Sequence, residues 1–239
     1  MSNLFGKRSA SSDGGDHWMS VSDLMAGLMM VFLFISVALM RDAMNERDKI
    51  KEVAVTYEKT QEAIYLALVE EFSEDLEKWG AEIERSTLSL NFTAPDVLFA
   101  NGKSDLSSKF EVILSDFFPR YLQVLNKYKP SIQEIKIEGH TSSRWNHDST
   151  DYEAYFNNMN LSQSRTRAVL GFVMNLDYVR NDHFNYSWVK QYVAAVGYSS
   201  SKVIKNKYGV ELAQRSRRVS FRVITNAEEQ IRKILGGEE

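Results

Sequence analysis

Asp23 is the residue whose chemistry is most constrained by its neighbours, because an uncharged apolar run, residues 24–40, begins immediately after it. An ionisable group at the edge of such a run is costly to keep there, and its common use is ion or proton transfer. Residue chemistry alone leaves two roles open. One is an ion carrier, which needs a partner surface because a single helix makes no ion path. The other is an N-cap at the lipid headgroup level, favoured by the helix dipole. Other reactive residue types are sparse or scattered. His140 reads as part of a strand-end turn rather than a catalyst, and His17, His147 and His183 show no helical metal spacing. The chain has no cysteine, which removes disulfides, thiolate zinc sites and cysteine nucleophiles together. No nucleophile elbow, phosphate loop or pair of catalytic carboxylates is present, so the chain does not read as an enzyme and no resident cofactor or metal is expected.

The elements that must position these residues follow from composition and spacing. The run 24–40 spans roughly 25 Å as a helix, and starting it at Val21 brings it to about twenty residues, the usual length of a transmembrane segment. Trp18 sits where an interfacial aromatic would. Ser36-Val37-Ala38 makes a small-x-small pattern, but it lies inside the apolar run rather than after it, which favours an uncleaved anchor over a signal peptide. Residues 1–17, rich in Ser, Gly and Asp, read as a tail. Neither Gly nor Pro occurs between Gly27 and Gly80, and Val53, Tyr57, Ile64, Leu68 and Phe72 recur at helical spacing. Residues 41–86 are therefore expected to form a helical stalk whose apolar stripe is a packing seam.

After residue 86 the pattern changes. Leu88-Ser89-Leu90-Asn91-Phe92 alternates as a strand, Pro95 and Asn101-Gly102 punctuate a loop, and 107–128 is an amphipathic helix. Strands are expected at 132–138, 192–197 and 218–224, with a helix at 161–176. That order implies a compact α+β domain, 87–226, with helices on one face of a sheet, followed by a short tail, 227–239. An apolar content of 44% supports a packed core, and a net charge of −3 leaves no basic footprint for nucleic acid.

Two groups of residues carry a resemblance. Ser22-Asp23-Leu24-Met25-Ala26-Gly27-Leu28-Met29-Met30-Val31-Phe32-Leu33-Phe34 resembles the membrane segment of the MotB family, in which an Asp precedes a Met- and Phe-rich span. In the second half, four segments resemble OmpA-like peptidoglycan-binding domains. They are Phe99-Ala100-Asn101-Gly102-Lys103-Ser104-Asp105-Leu106, Ile137-Glu138-Gly139-His140-Thr141-Ser142, Asn158-Met159-Asn160-Leu161-Ser162-Gln163-Ser164-Arg165 and Ser216-Arg217-Arg218-Val219-Ser220-Phe221-Arg222-Val223. The fold implied is α+β: a single N-terminal transmembrane helix and helical stalk followed by an OmpA-like α/β sandwich domain.

The resemblance implies that Asp23 is the ion-binding residue of a stator-type motor. Such a chain forms a homodimer inside five copies of a multi-span MotA/ZorA-like subunit, carrying H+ or alternatively Na+. It sits in the bacterial inner membrane as a single-pass protein, with the N-terminus cytoplasmic and the C-terminal domain periplasmic on peptidoglycan. By the same resemblance Arg165 clamps a stem-peptide carboxylate, Thr141, Ser142, Asn157 and Asn158 supply polar contacts, and Leu161 forms an apolar wall. The family usually has Asp at the position of Ser142 to hold the diaminopimelate amine, and its loop is shorter than residues 143–156 here. Asp148, Asp151 and Glu153 are the acids that could replace it. The basic residues Arg41, Arg47, Lys49 and Lys51 after the span, against Lys7 and Arg8 before it, favour the opposite orientation by themselves. A long domain crosses largely regardless of charge, however. Within the MotB-like group, 18–23 and the Gly/Pro-free stalk look similar to the B subunits of Zorya anti-phage defence systems. A flagellar stator subunit and a passive peptidoglycan tether are the alternatives.

Overall fold

The computed structural model describes residues 15–93, 98–100 and 102–226, with the side chains of 15–20 excepted. The terminal tails before residue 15 and after residue 226, the loop residues Pro95 and Asn101, and the side chain of Trp18 lie outside that description.

A single unbroken helix, α1 (Gly15–Phe72), joins the apolar run to the domain. The absence of Gly and Pro after Gly27 removes the residues that most readily end or kink a helix. This is the one helix among the described residues long and apolar enough to cross a membrane, and its apolar residues from Leu24 to Met40 are exposed within the chain. The far end of α1 behaves differently. Ile64, Leu68 and Phe72 are fully buried in the domain core, so the last turns of the expected stalk are part of the domain. The helical spacing seen in the sequence is the same for a free seam and for a buried face, and only the contacts separate them.

A five-stranded sheet forms the domain's floor, in the order β1-β2-β5-β3-β4. Its strands are β1 (Ala81–Glu84), β2 (Ser89–Phe92), β3 (Ile132–His140), β4 (Val193–Gly197) and β5 (Arg218–Thr225). β3 and β4 are parallel and the other neighbours antiparallel. β1 lies within the expected stalk, where its sequence Ala-Glu-Ile-Glu carries a single large apolar residue and gives little strand signal. It pairs with β2, Ile83 opposite Leu90.

Over this sheet pack α2 (Ser108–Asn126), α3 (Asp151–Asn175) and α4 (His183–Tyr192). α2 starts at Ser107, whose hydroxyl accepts from the Phe110 amide at 3.1 Å. The core between them is aromatic: Phe117 lies 5.2 Å from Phe72, 5.3 Å from Phe92 and 5.0 Å from Phe221, centroid to centroid, two of the three contacts edge-on. Arg120 fastens the end of α1 to α2. Its Nε donates to Glu71 (2.7 Å), its Nη1 to Asp75 (3.0 Å) and Asp116 (2.9 Å), and its Nη2 to the Glu71 carbonyl (2.8 Å), with the guanidinium over the Phe72 ring. The hydrogen bond from Arg120 holds the Asp75 carboxyl below its ordinary range.

α3 begins ten residues earlier than the sequence suggests. Thr150 caps it, accepting from the Glu153 amide while the Glu153 carboxylate accepts from the Thr150 amide. The loop after β3 is thereby shortened to 141–150. Gly139 and Gly197 let α3 lie directly on the sheet: a Cβ on Gly197 would meet the Gln163 amide nitrogen at 2.5 Å, and one on Gly139 the Ser162 carbonyl at 2.7 Å.

Candidate functional site

α3 crossing the end of β3 leaves a cleft of about 180 Å³. Thr141, Ser142, Arg144 and Trp145 line it from the loop after β3, and Asn158, Leu161 and Arg165 from α3. Phe99 and Gly102 close it ahead of α2, and Arg217 closes it ahead of β5. Five of the six residues expected to bind the wall therefore meet in one place. Asn157 does not line the cleft, because it lies one residue from buried Asn158 and so about 100° round the helix.

The role of each group follows from its partners. Arg165 Nε donates to the Lys103 carbonyl at 2.9 Å and the guanidinium stacks over Phe99 at 4.7 Å. No acid pairs with Arg165 among the described residues, so burial, with Arg217 nearby, pulls it down to about 10. Asn158 is almost wholly buried, and its Nδ2 donates to the carbonyls of Ser142 (3.1 Å) and Arg144 (3.4 Å). Its amide thus shapes the loop. Thr141 is also buried: its amide donates to the Ser199 carbonyl at 2.9 Å, while its hydroxyl has no hydrogen-bond partner among the described residues.

The acids proposed to replace a carboxylate at Ser142 do not line the cleft. Glu153 caps α3, Asp148 lies beside His147 at 3.3 Å, and Asp151 sits exposed in the first turn of α3. Glu211, which the sequence did not single out, holds the loop at Ser143. It accepts from the Ser143 amide at 3.0 Å and from the Ser143 hydroxyl.

Two serines join the site to the fold. Ser199, fully buried with φ 51°, donates its amide to Ser162 Oγ (3.1 Å) and its hydroxyl to the Tyr155 carbonyl (2.7 Å) while accepting from Thr141. A non-glycine residue in that backbone region is uncommon and is held there by its surroundings. Nothing in the residue type Ser signals this; Arg144 carried no signal of its own either, and Arg217 stood in the closing Arg-Arg-Val segment without a site role. His140 closes β3 stacked on Tyr198 (5.3 Å between centroids), with Nε2 3.3 Å from Glu138. Burial pushes its pKa down against the opposing pull of Glu138, as befits a packed neutral imidazole.

Asp23 is remote from this cleft, on the exposed apolar part of α1. The helix already begins at Gly15, about two turns earlier, so Asp23 does not occupy the N-cap position. The cap role left open by the sequence falls on that geometry.

No family model matches the chain. It is 53% identical over 236 residues to the Zorya protein ZorB of Escherichia coli strain Crooks, covering 98% of this chain and 99% of that one. Among solved structures it is similar to a putative MotB-like protein from Desulfovibrio vulgaris, with a TM-score of 0.47 and 17% identity over 74% of this chain and 94% of the other. A second is the cell wall anchor of the T6SS from Pseudomonas aeruginosa, with a TM-score of 0.43 and 20% identity over 66% and 96%.

Proposed function

The chain belongs to the ZorB family, and from that premise we propose that it is the peptidoglycan-anchored B subunit of an ion-driven inner-membrane motor that serves anti-phage defence. α1 crosses the membrane once, with its start in the cytoplasm and the domain in the periplasm. Two copies stand within five copies of a multi-span MotA/ZorA-like subunit, and Asp23 loads and releases H+, or alternatively Na+, against that partner. The cleft holds the stem peptide of peptidoglycan, Arg165 taking a carboxylate in a charge-assisted contact.

The observation that carries the ion role is the position of Asp23 inside a continuous helix, among exposed apolar residues and away from the helix end. A carboxylate there has no capping duty to explain it. The wall role is supported by Arg165, a half-buried cation left without an acid in a cleft open to solvent.

The test is Asp23→Asn in cells carrying the whole defence system. The variant keeps size and polarity, so membrane levels of the complex by blot should stay normal while plaquing efficiency rises to that of unprotected cells. Full protection at normal levels would sink the ion-driven reading and leave a passive tether. Arg165→Ala separates the two halves of the proposal. It should weaken sedimentation with purified peptidoglycan while circular dichroism is unchanged.

A further inference from the structure

We infer that the basic hairpin of residues 202–212 is a second wall contact, which holds acidic stem peptides next to the one seated in the cleft. This rests on the wall-binding reading above and adds a surface outside the cleft. From Tyr198 to Arg218 the chain carries six cations and one acid, Glu211, although its net charge is −3. The three arginines are engaged within the fold: Arg215 with Glu82, Arg217 in the cleft wall, and Arg218 with the carbonyls of Lys202 and Ser216. Lys202, Lys205 and Lys207 are exposed.

The hairpin is a built element. The Leu212 amide donates to the Ile204 carbonyl at 2.7 Å, and the Asn206 amide to the Val210 carbonyl at 2.8 Å. At the tip, Asn206 Oδ1 accepts from the amides of Tyr208 (2.9 Å) and Val210 (3.0 Å), and Gly209 takes the positive φ of 79° that closes the turn. Lys207 Nζ lies 5.0 Å from the centre of the Tyr208 ring, which keeps that charge at the tip. The hairpin is also tied to the cleft. Glu211 faces away from the lysines and holds Ser143, next to cleft-lining Arg144. Lys205 pairs with Glu211 across the hairpin, so their Cα atoms are on the order of 5 Å apart.

The placement favours the wall over the bilayer as the anionic partner. α1 reaches the domain near the start of β3, where the Tyr128 hydroxyl donates to the Ala63 carbonyl at 3.2 Å. The cleft lies at the other end of β3, and β5 starts there, Arg218 opposite His140. Residues 198–217 join β4 to β5 at that end, so the hairpin stands on the side of the domain away from the membrane segment. The wall repeats the same acidic stem along its strands, and a stem held in the cleft keeps its neighbours at high local concentration for the lysines. Exposed charges of this kind add affinity that salt screens.

Sedimentation of the detergent-solubilised full chain with purified peptidoglycan tests this, at about 0.05 M and about 0.5 M sodium chloride. Replacing Lys202, Lys205 and Lys207 together by Gln should weaken sedimentation about tenfold at the lower salt, the scale of three exposed ion pairs. The difference should shrink at the higher salt. Calorimetric binding of a soluble disaccharide tripeptide released from the wall, which fills the cleft alone, should be unchanged. A control in which Lys59, Lys127 and Lys190 become Gln removes the same charge far from the hairpin and should sediment as the natural chain does.

Unchanged sedimentation of the hairpin variant would overturn the inference and leave wall binding intact. If that variant instead lost binding to vesicles containing anionic phosphatidylglycerol, the hairpin would belong to the bilayer. Equal loss in the control would show an effect of bulk charge, and loss of the soluble fragment would show a hairpin that only props the cleft; either result overturns the inference. Failure of the natural chain to sediment would take the wall-binding reading down with it.

Discussion

Arg165 and His140 lie on either side of the loop after β3, yet one lines an open cleft and the other is sealed off. Arg165 leaves α3 at a point where no acid among the described residues pairs with it. His140 is packed under Tyr198, with Glu138 from β3 favouring its charged form and Arg218 of β5 and Lys202 of the β4–β5 connection opposing it. Burial dominates and holds the imidazole neutral, below its ordinary value. The stability consequence has a definite sign. Below about pH 6.5, the ordinary imidazole value, the unfolded chain takes up a proton that the fold refuses, so the unfolded state gains protons relative to the native one. The contribution of His140 is fully present above that pH and is lost as pH falls toward and through the depressed folded value. Urea midpoints measured from pH 7.5 down to 5 should fall for the natural chain and fall less for His140→Gln. Equal slopes for the two would show that other groups govern the acid limb. Motif reading found Arg165 through its place in the Asn-x-x-Leu-Ser-x-x-Arg pattern, although the structure sets it well inside α3 rather than at a helix start. Ser199 and Glu211 act through hydrogen bonds to atoms distant in sequence, and no local pattern encodes such partners.

At the scale of elements, the site exists because α3 lies against β3 and β4 with no side chain between them. Gly139 and Gly197 are the register marks of that contact. Gly197→Ala would drive a methyl group into the Gln163 amide and Ser162 Oγ, at 2.5 and 2.8 Å, so α3 must lift. Overpacking of this kind costs about 1–3 kcal/mol. Because Arg165 lies two residues beyond Gln163, peptidoglycan sedimentation should weaken along with the melting temperature. A melting temperature unchanged from the natural chain would mean the helix slides without cost and would contradict the close packing. The early start of α3 has signals in the residues that the sequence reading did not use: the Thr150 and Glu153 capping box precedes Tyr152, Tyr155, Phe156 and Met159 at helical i, i+3, i+4, i+7 spacing. β1 was silent, since an edge strand of four residues with two glutamates reads as polar stalk.

The whole molecule is a rod with a domain welded to its end. α1 runs from the apolar segment into the core without a flexible joint, and Arg120 ties its last turn to α2 by bonds to Glu71, Asp75 and Asp116. Between the apolar run and Ile64 the exposed rod measures roughly 35 Å at 1.5 Å per residue. If that rod sets the height of the cleft above the membrane, removing residues 44–61, five whole turns or about 27 Å, should preserve rotational phase and binding to purified peptidoglycan but abolish phage protection. Retained protection would show that the rod's length is not used. The wall-binding proposal requires a reporter fused at Met1 to be cytoplasmic and one fused after Glu239 to be periplasmic; a cytoplasmic C-terminal reporter would end it.

The sequence by itself determined that an apolar helix carries an acid at its edge, that a mixed α and β domain follows, and that Thr141, Asn158, Leu161 and Arg165 belong to one motif set. The first two are properties of hydrophobic period and residue type within short windows, and the third is what the resemblance of the segments 137–142 and 158–165 implies. Only the tertiary structure decided that α1 starts before Asp23, that Ile64, Leu68 and Phe72 are core rather than seam, and that the cleft holds three arginines and no acid among the described residues. Burial, ion pairing and the charge inside a cleft depend on which distant segments meet, and side chains more than fifty residues apart, such as Arg165 and Arg217, line one cleft only when the sheet brings them together.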